Sequence, residues 1–199
     1  MSIRKIFVTV LALALGASAF AQVEFGAKAG MTANWIPGTY ADLGDDPATN
    51  IGYYGGLTAS LDLSRSAFLQ AELLYIRKGI STENPILGKY ARNVSYVELP
   101  VLAGYKKGNF RLMAGPAFAY CIGNTVKSDT YNPASLGVPR DFDLSVVCHT
   151  SYLVTDNLGV DLGFDFGVTR VLKDAVIGET MDKGRNSSVT VGLSYYFGN

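Results

Sequence analysis

The sequence has little of what most catalytic and metal chemistry requires. Its 199 residues hold one histidine, His149, one tryptophan, Trp35, and two cysteines, Cys121 and Cys148. No metal-ligand quartet, phosphate-binding glycine loop or dinucleotide fingerprint can be read from it. Charge is also scarce, at 17% of residues, with 17 basic against 17 acidic side chains. That balance excludes the basic footprint of a nucleic-acid-binding protein. Beyond residue 21 no apolar run approaches the ~20 residues that a membrane-spanning helix needs. The one early run, Ile6 to Phe20, follows Arg4 and Lys5 and ends in Ala19-Phe20-Ala21, the small-x-small form of a signal-peptidase site. An export signal over residues 1–21 is therefore expected, with Gln22 opening the mature domain 22–199. The competing reading is a single anchoring helix, for which the run is short. Loss of Arg4 and Lys5 leaves a slight acidic excess.

What the chain does have is alternation with a period of two. In the first segment Val23, Phe25, Ala27, Ala29, Met31, Ala33 and Trp35 share one face, while Glu24, Gly26, Lys28, Gly30, Thr32 and Asn34 share the other. Seven further segments repeat the split, giving expected strands at Val23–Trp35, Ile51–Leu63, Ala67–Lys78, Val94–Lys106, Asn109–Ile122, Phe142–Val154, Leu158–Leu172 and Ser187–Phe197. Connections alternate between long stretches (36–50, 79–93, 123–141, 173–186) and tight turns (64–66, 107–108, 155–157). The layout predicts an all-β fold, an eight-stranded antiparallel up-and-down transmembrane β-barrel of the bacterial outer membrane, with short turns toward the periplasm. Aromatics on the apolar face gather near strand ends: Phe25, Tyr105, Phe110, Tyr152, Tyr195 and Phe197 toward the short turns, Trp35, Tyr53, Tyr75 and Tyr120 toward the long loops. Two interfacial girdles are expected from them. Arg77 and Arg170 fall on the apolar parity only at loop ends, where they can snorkel to water.

The opposite face interleaves glycines with Tyr54, Phe68, Tyr96, Met113 and Tyr196, which suits a narrow lumen filled by side chains. It also carries Lys28, Asp62, Glu72, Glu98, Arg111, Asp161 and Asp165, whose burial requires pairing. A lumen polar network of Lys28, Glu72, Glu98, Arg111, Asp161 and Asp165 is expected. Glu72 and Glu98 should lie near one level, neutralised by Lys28, Arg111 or a shared proton. Cys121 falls on the polar parity and Cys148 on the apolar one, so both are expected to be free.

The succession Leu69-Gln70-Ala71-Glu72-Leu73-Leu74-Tyr75 with Lys78-Gly79, then Tyr96-Val97-Glu98-Leu99-Pro100-Val101-Leu102, then Met113-Ala114-Gly115-Pro116 resembles the PorT-like family of outer-membrane β-barrel domains. The resemblance covers essentially the whole mature chain. It implies the barrel and suggests accessory work in protein secretion or envelope assembly, although most members have no assigned role. The final Gly198-Asn199 extends past the aromatic residue on which such barrels usually end.

His149-Thr150-Ser151 resembles the start of the lipid A deacylase motif, with Asp161 as the nearest orienting carboxylate. Tyr152-Leu153 stands where that motif has Asn-Ala, and parity points His149 into the lumen. Asp42, Asp45 and Asp46 lack calcium-loop spacing and are expected to be a solvated acidic loop. The expectation is thus a monomeric, non-catalytic outer-membrane barrel without cofactor or metal. Its partners would be outer-membrane lipid and lipopolysaccharide, with envelope or extracellular proteins at the loops and no nucleic acid. The alternatives are a secretion or envelope-assembly factor, a deacylase-like enzyme, and a soluble β-barrel carrier with the apolar faces turned inward.

Overall fold

The computed structural model describes residues 23–35, 50–84, 88–128, 138–139, 141–170, 172–173 and 185–197. The expected export signal, the Asp42, Asp45 and Asp46 cluster, Gly198-Asn199 and the side chains of Trp35 and Arg170 lie outside this description. Among the described residues there are ten strands: β1 Val23–Trp35, β2 Asn50–Asp62, β3 Ala67–Asn84, β4 Gly88–Lys107, β5 Phe110–Ser128, β6 Val138–Pro139, β7 Phe142–Leu153, β8 Leu158–Arg170, β9 Leu172–Lys173 and β10 Arg185–Phe197. Eight of them close an antiparallel barrel in which β1 pairs with both β2 and β10. The two shortest, β6 and β9, pair separately and tie together the connections that follow β5 and β8.

Closure follows from the ladders. Starting at Glu24 and stepping across each pair leads to Ser60, Gln70 and Leu102, then by continuation of the ladder to Gly115, and on through Val147, Asp165 and Ser188 to Asn34. The path returns to β1 ten residues above its start. Eight strands with such a stagger tilt steeply, by about 35–45°, and enclose an interior that side chains fill.

The side chains sort by parity as the alternation requires. Phe25, Leu57, Leu73 and Leu193 on the outward faces are more than half exposed, whereas Phe68, Leu102 and Tyr196 inside are at most 2% exposed. A continuous belt of exposed aliphatic and aromatic side chains cannot face water stably and suits a bilayer. The soluble-carrier alternative needed the reverse orientation and is overturned. Tight turns are fixed by hydroxyls: Ser64 Oγ accepts from Ala67 N at 3.0 Å and Thr155 Oγ1 from Leu158 N at 3.0 Å. Between β4 and β5 the chain turns at Gly108, whose φ of +57° suits a residue without Cβ.

Four strands are longer than the sequence pattern predicts, β10 by two residues and β3, β4 and β5 by more. β3 and β4 stay paired out to Asn84 opposite Gly88, and β4 and β5 out to Tyr90 opposite Ser128. By contrast, the β2–β3 ladder ends at Tyr53 opposite Arg77, and the β5–β7 ladder at Tyr120 opposite Phe142. The expected long connection over 79–93 is thus largely a β-hairpin that continues past the ends of those two ladders. Beyond the bilayer both faces of a strand are wet, so pairing continues without the alternation that betrays it. An irregularity between Ser95 and Tyr96, opposite Gly123 and Cys121, leaves Ile122 as the extra residue.

Candidate functional site

Two compartments could carry function: the lumen and the long-loop rim. The lumen is braced at three heights. Nearest the short turns, Arg111 on β5 donates to Glu24 on β1 at 3.0 Å, and its guanidinium lies 4.2 Å from the Tyr196 ring centroid. β1 and β5 are diametrically opposite in the barrel, so this contact spans the interior.

At mid-height Lys28 Nζ sits 3.1 and 3.2 Å from the two oxygens of Glu72. Gln70 Nε2 donates to Glu72 at 2.6 Å while its own carbonyl accepts from Ser60 at 2.7 Å. Lys28 Nζ also lies 3.5 Å from Nδ1 of His149, and Ser194 donates to Asp161 at 3.2 Å. Higher still, Lys78 on β3 donates to Glu98 at 2.9 Å and lies 3.8 Å from Asp165 on β8, again the opposite wall. Ser188 donates to Asp165 at 2.9 Å, and His149 Nε2 stands 3.6 Å from its other oxygen. Asp143 accepts from the Thr169 hydroxyl.

The six expected network residues are all buried in the lumen, and Lys28 neutralises Glu72 as expected, but the partners of Glu98 and Arg111 differ from the expected ones. Glu98 sits opposite Leu74, two residues along from Glu72, and its partner is Lys78. Arg111 pairs with Glu24 instead of either glutamate. Lys78 shares the inward parity of Phe68, Gln70, Glu72, Leu74 and Ile76, so the sequence held the signal; its place next to the expected loop concealed it. Asp62, expected inside, is exposed at the short-turn rim and pairs with Lys106 at 2.7 Å. There the strand has already left the lumen.

Apolar plugs fill what the braces leave. Phe68, Leu102, Met113, Ala117 and Val147 form one buried cluster, and Tyr54, Leu74, Ile76, Val94, Tyr96 and Ala119 another. The first is locked by close approach: a Cβ on Gly104 would lie 2.7 Å from Cε2 of Phe68. His149 and Ser151 both face this closed interior, 8% and 1% exposed. The carboxylate nearest to His149 is Asp165, not the Asp161 that the deacylase-like motif would employ. Both cysteines are free, Cys121 half-buried against the upper cluster and Cys148 exposed on the outer face.

On the outer wall the described girdle residues are all exposed, with Phe25 opposite Phe197 and Phe110 opposite Tyr152 at the short-turn end. At the other end the Tyr53 and Tyr75 rings lie 6.1 Å apart, Tyr75 Oη is 3.0 Å from Ser95 Oγ, and the Arg77 guanidinium is 5.9 Å from the Tyr53 ring centroid. Among the described residues no group of His, Cys, Asp and Glu side chains is arranged to hold a metal ion.

Residues 19–173 match the family described as outer membrane protein beta-barrel domain. No curated protein matches the sequence. Among solved structures, the barrel resembles Neisserial surface protein A, with a TM-score of 0.56 at 14% identity over 87% of this chain and 97% of that one. It also resembles the outer membrane protein OprG from Pseudomonas aeruginosa, with a TM-score of 0.50 at 11% identity over 88% and 96% of the two chains. At these identities the likeness is one of fold.

Proposed function

The chain belongs to the outer membrane protein beta-barrel domain family, and on that premise we propose that it is a monomeric, non-catalytic scaffold that displays its long-loop end to partners outside the cell or within the envelope. It is a small eight-stranded barrel of the outer membrane. The observation that carries the proposal is the contrast between its two ends. The short-turn end stops at tight turns, whereas β3, β4 and β5 continue past the wall as a three-stranded projection. The lumen supports the non-catalytic part of the reading, because His149 and Ser151 are enclosed with no route to lipid. The name of the Neisserial relative, a surface protein, agrees with display.

Replacing residues 79–93 by an Asn-Gly turn would shorten the projection without touching the barrel wall below Arg77. Cells carrying this variant should lose binding to at least one member of a panel of purified extracellular proteins, while the barrel still migrates as a compact, heat-modifiable species. Unchanged binding to every member would sink the surface-recognition reading.

A second reading, accessory work in secretion or envelope assembly, rests on the PorT-like succession of motifs. Its key residues have a plainer explanation in the barrel. Glu72 and Glu98 are each paired with a buried lysine, and at Gly115 the inward face has no room for a side chain against the backbone of Val101 and Leu102. In-cell crosslinking followed by purification tests this reading, and recovery of no reproducible envelope partner would count against it.

A further inference from the structure

Two polar atoms that face each other inside the lumen, Ser151 Oγ on β7 and Asp161 Oδ2 on β8, have no hydrogen-bond partner among the described residues. Their residues stand directly opposite in the β7–β8 ladder, and at 1% and 7% exposure neither is satisfied by water outside the barrel. Buried polar groups are almost always partnered, so two orphans side by side mark a place for an ordered water or an ion. Gly159, two residues past the tight turn 155–157, provides the space. A Cβ there would lie 2.9 Å from Ser151 Oγ and 2.6 Å from Ser194 Oγ. Ser194 donates to the other oxygen of Asp161 at 3.2 Å, so two hydroxyls and a carboxylate border one small oxygen-lined space beside the glycine.

Charge distinguishes this place from a packing defect. Lys28 is held by Glu72 at 3.1 Å and Arg111 by Glu24 at 3.0 Å. No cationic side chain among the described residues lies within ion-pair distance of Asp161. His149, also at mid-height, turns its Nε2 to Asp165 at 3.6 Å. Asp161 is therefore a buried carboxylate without a cation, and buried charges are stable when they are paired or bound to a metal ion.

We propose that the lumen binds one monovalent alkali cation between Asp161, Ser151 and Ser194, beside Gly159. The ligands are hard oxygens, which suit an alkali or alkaline-earth ion better than a transition metal. A single carboxylate is free to ligate, because Glu72 is held by Lys28, and this selects a monovalent ion over calcium or magnesium. Asp161 supplies the charge and Ser151 a lone pair, while Ser194 keeps its hydrogen bond and turns its remaining lone pair to the ion. The site is independent of the display reading of the long-loop end.

The full chain, folded in mild detergent, would be heated in sodium chloride and in choline chloride at equal ionic strength, and the temperature at which the compact species is lost would be recorded. Sodium should raise it by about 3–6 °C, the shift expected for a ligand at roughly ten times its dissociation constant. Asp161→Asn should abolish the difference between the two salts, whatever it does to the midpoint itself. Gly159→Ala, which puts a methyl into the space, should reduce the difference, and Asp62→Asn at the exposed rim should keep it. Equal midpoints of the wild type in the two salts would overturn the proposal, as would an Asp161→Asn barrel that keeps the full difference. Stabilisation by magnesium chloride but not by sodium chloride would also overturn it. If Asp161→Asn fails to assemble, Ser151→Ala, which removes only a hydroxyl, takes its place and should lose most of the sodium effect.

Discussion

Lys28 and Glu72 are each nearly sealed from solvent, so neither charge has water to fall back on. Removing one partner leaves the other buried without compensation, which costs about 3–5 kcal/mol, whereas exchanging both for apolar groups of similar volume is often neutral. Lys28→Met should therefore lower the denaturant midpoint of refolded barrel strongly, and Lys28→Met with Glu72→Leu should recover most of the loss. A double variant no better than the single one would show that Glu72 is held mainly by Gln70. The Phe68 plug makes a steric prediction. Gly104→Ala drives a methyl into the ring and should destabilise the barrel by about 1–3 kcal/mol, an overpacking cost that Phe68→Leu relieves. Residues such as these were visible in the sequence as an inward parity. Which cation meets which anion was not, because pairs such as Arg111 with Glu24 join opposite walls and depend on the stagger of all eight strands.

At the scale of elements, the turn at Gly108 is a local requirement that acts without the rest of the barrel. Gly108→Ala forces a side chain into the left-handed region at a cost of about 1–2 kcal/mol, and nothing nearby would clash with the added methyl. Its effect should appear in the unfolding midpoint, while Gly108→Asn, which tolerates that conformation better, should be closer to wild type. The existence of all eight barrel strands was legible, and β1 has the bounds read from its alternation. The pattern persists wherever one face meets lipid and the other the lumen. It failed at the upper ends of β3, β4 and β5, where Ile80, Ser81 and Thr82 pair with Arg92, Ala91 and Tyr90 outside that regime. The β6–β9 ladder, two residues per strand, is too short for any period to show.

At the scale of the whole molecule, the braces and the two apolar clusters decide whether this barrel conducts. The path through the lumen must pass Phe68, Leu102, Met113, Ala117 and Val147 in one cluster, then Tyr54, Leu74, Ile76 and Tyr96 in the other. Lys78 ties β3 to β4 and reaches toward β8 beside the second cluster, whereas Arg111 lies over the Phe68 ring of the first, so the two obstructions share β3, β4 and β5 but stand beside different ion pairs. Wild-type protein in a planar bilayer should therefore show no steady conductance. Phe68→Ala with Met113→Ala hollows out only the first obstruction, and the doubly substituted barrel should remain closed. Adding Tyr54→Ala and Tyr96→Ala, which empties the second, should give measurable ion flow if the barrel still assembles. Conductance in the double variant would mean that the upper cluster is not a seal, and that the side chains around Lys78 move aside more readily than their burial implies.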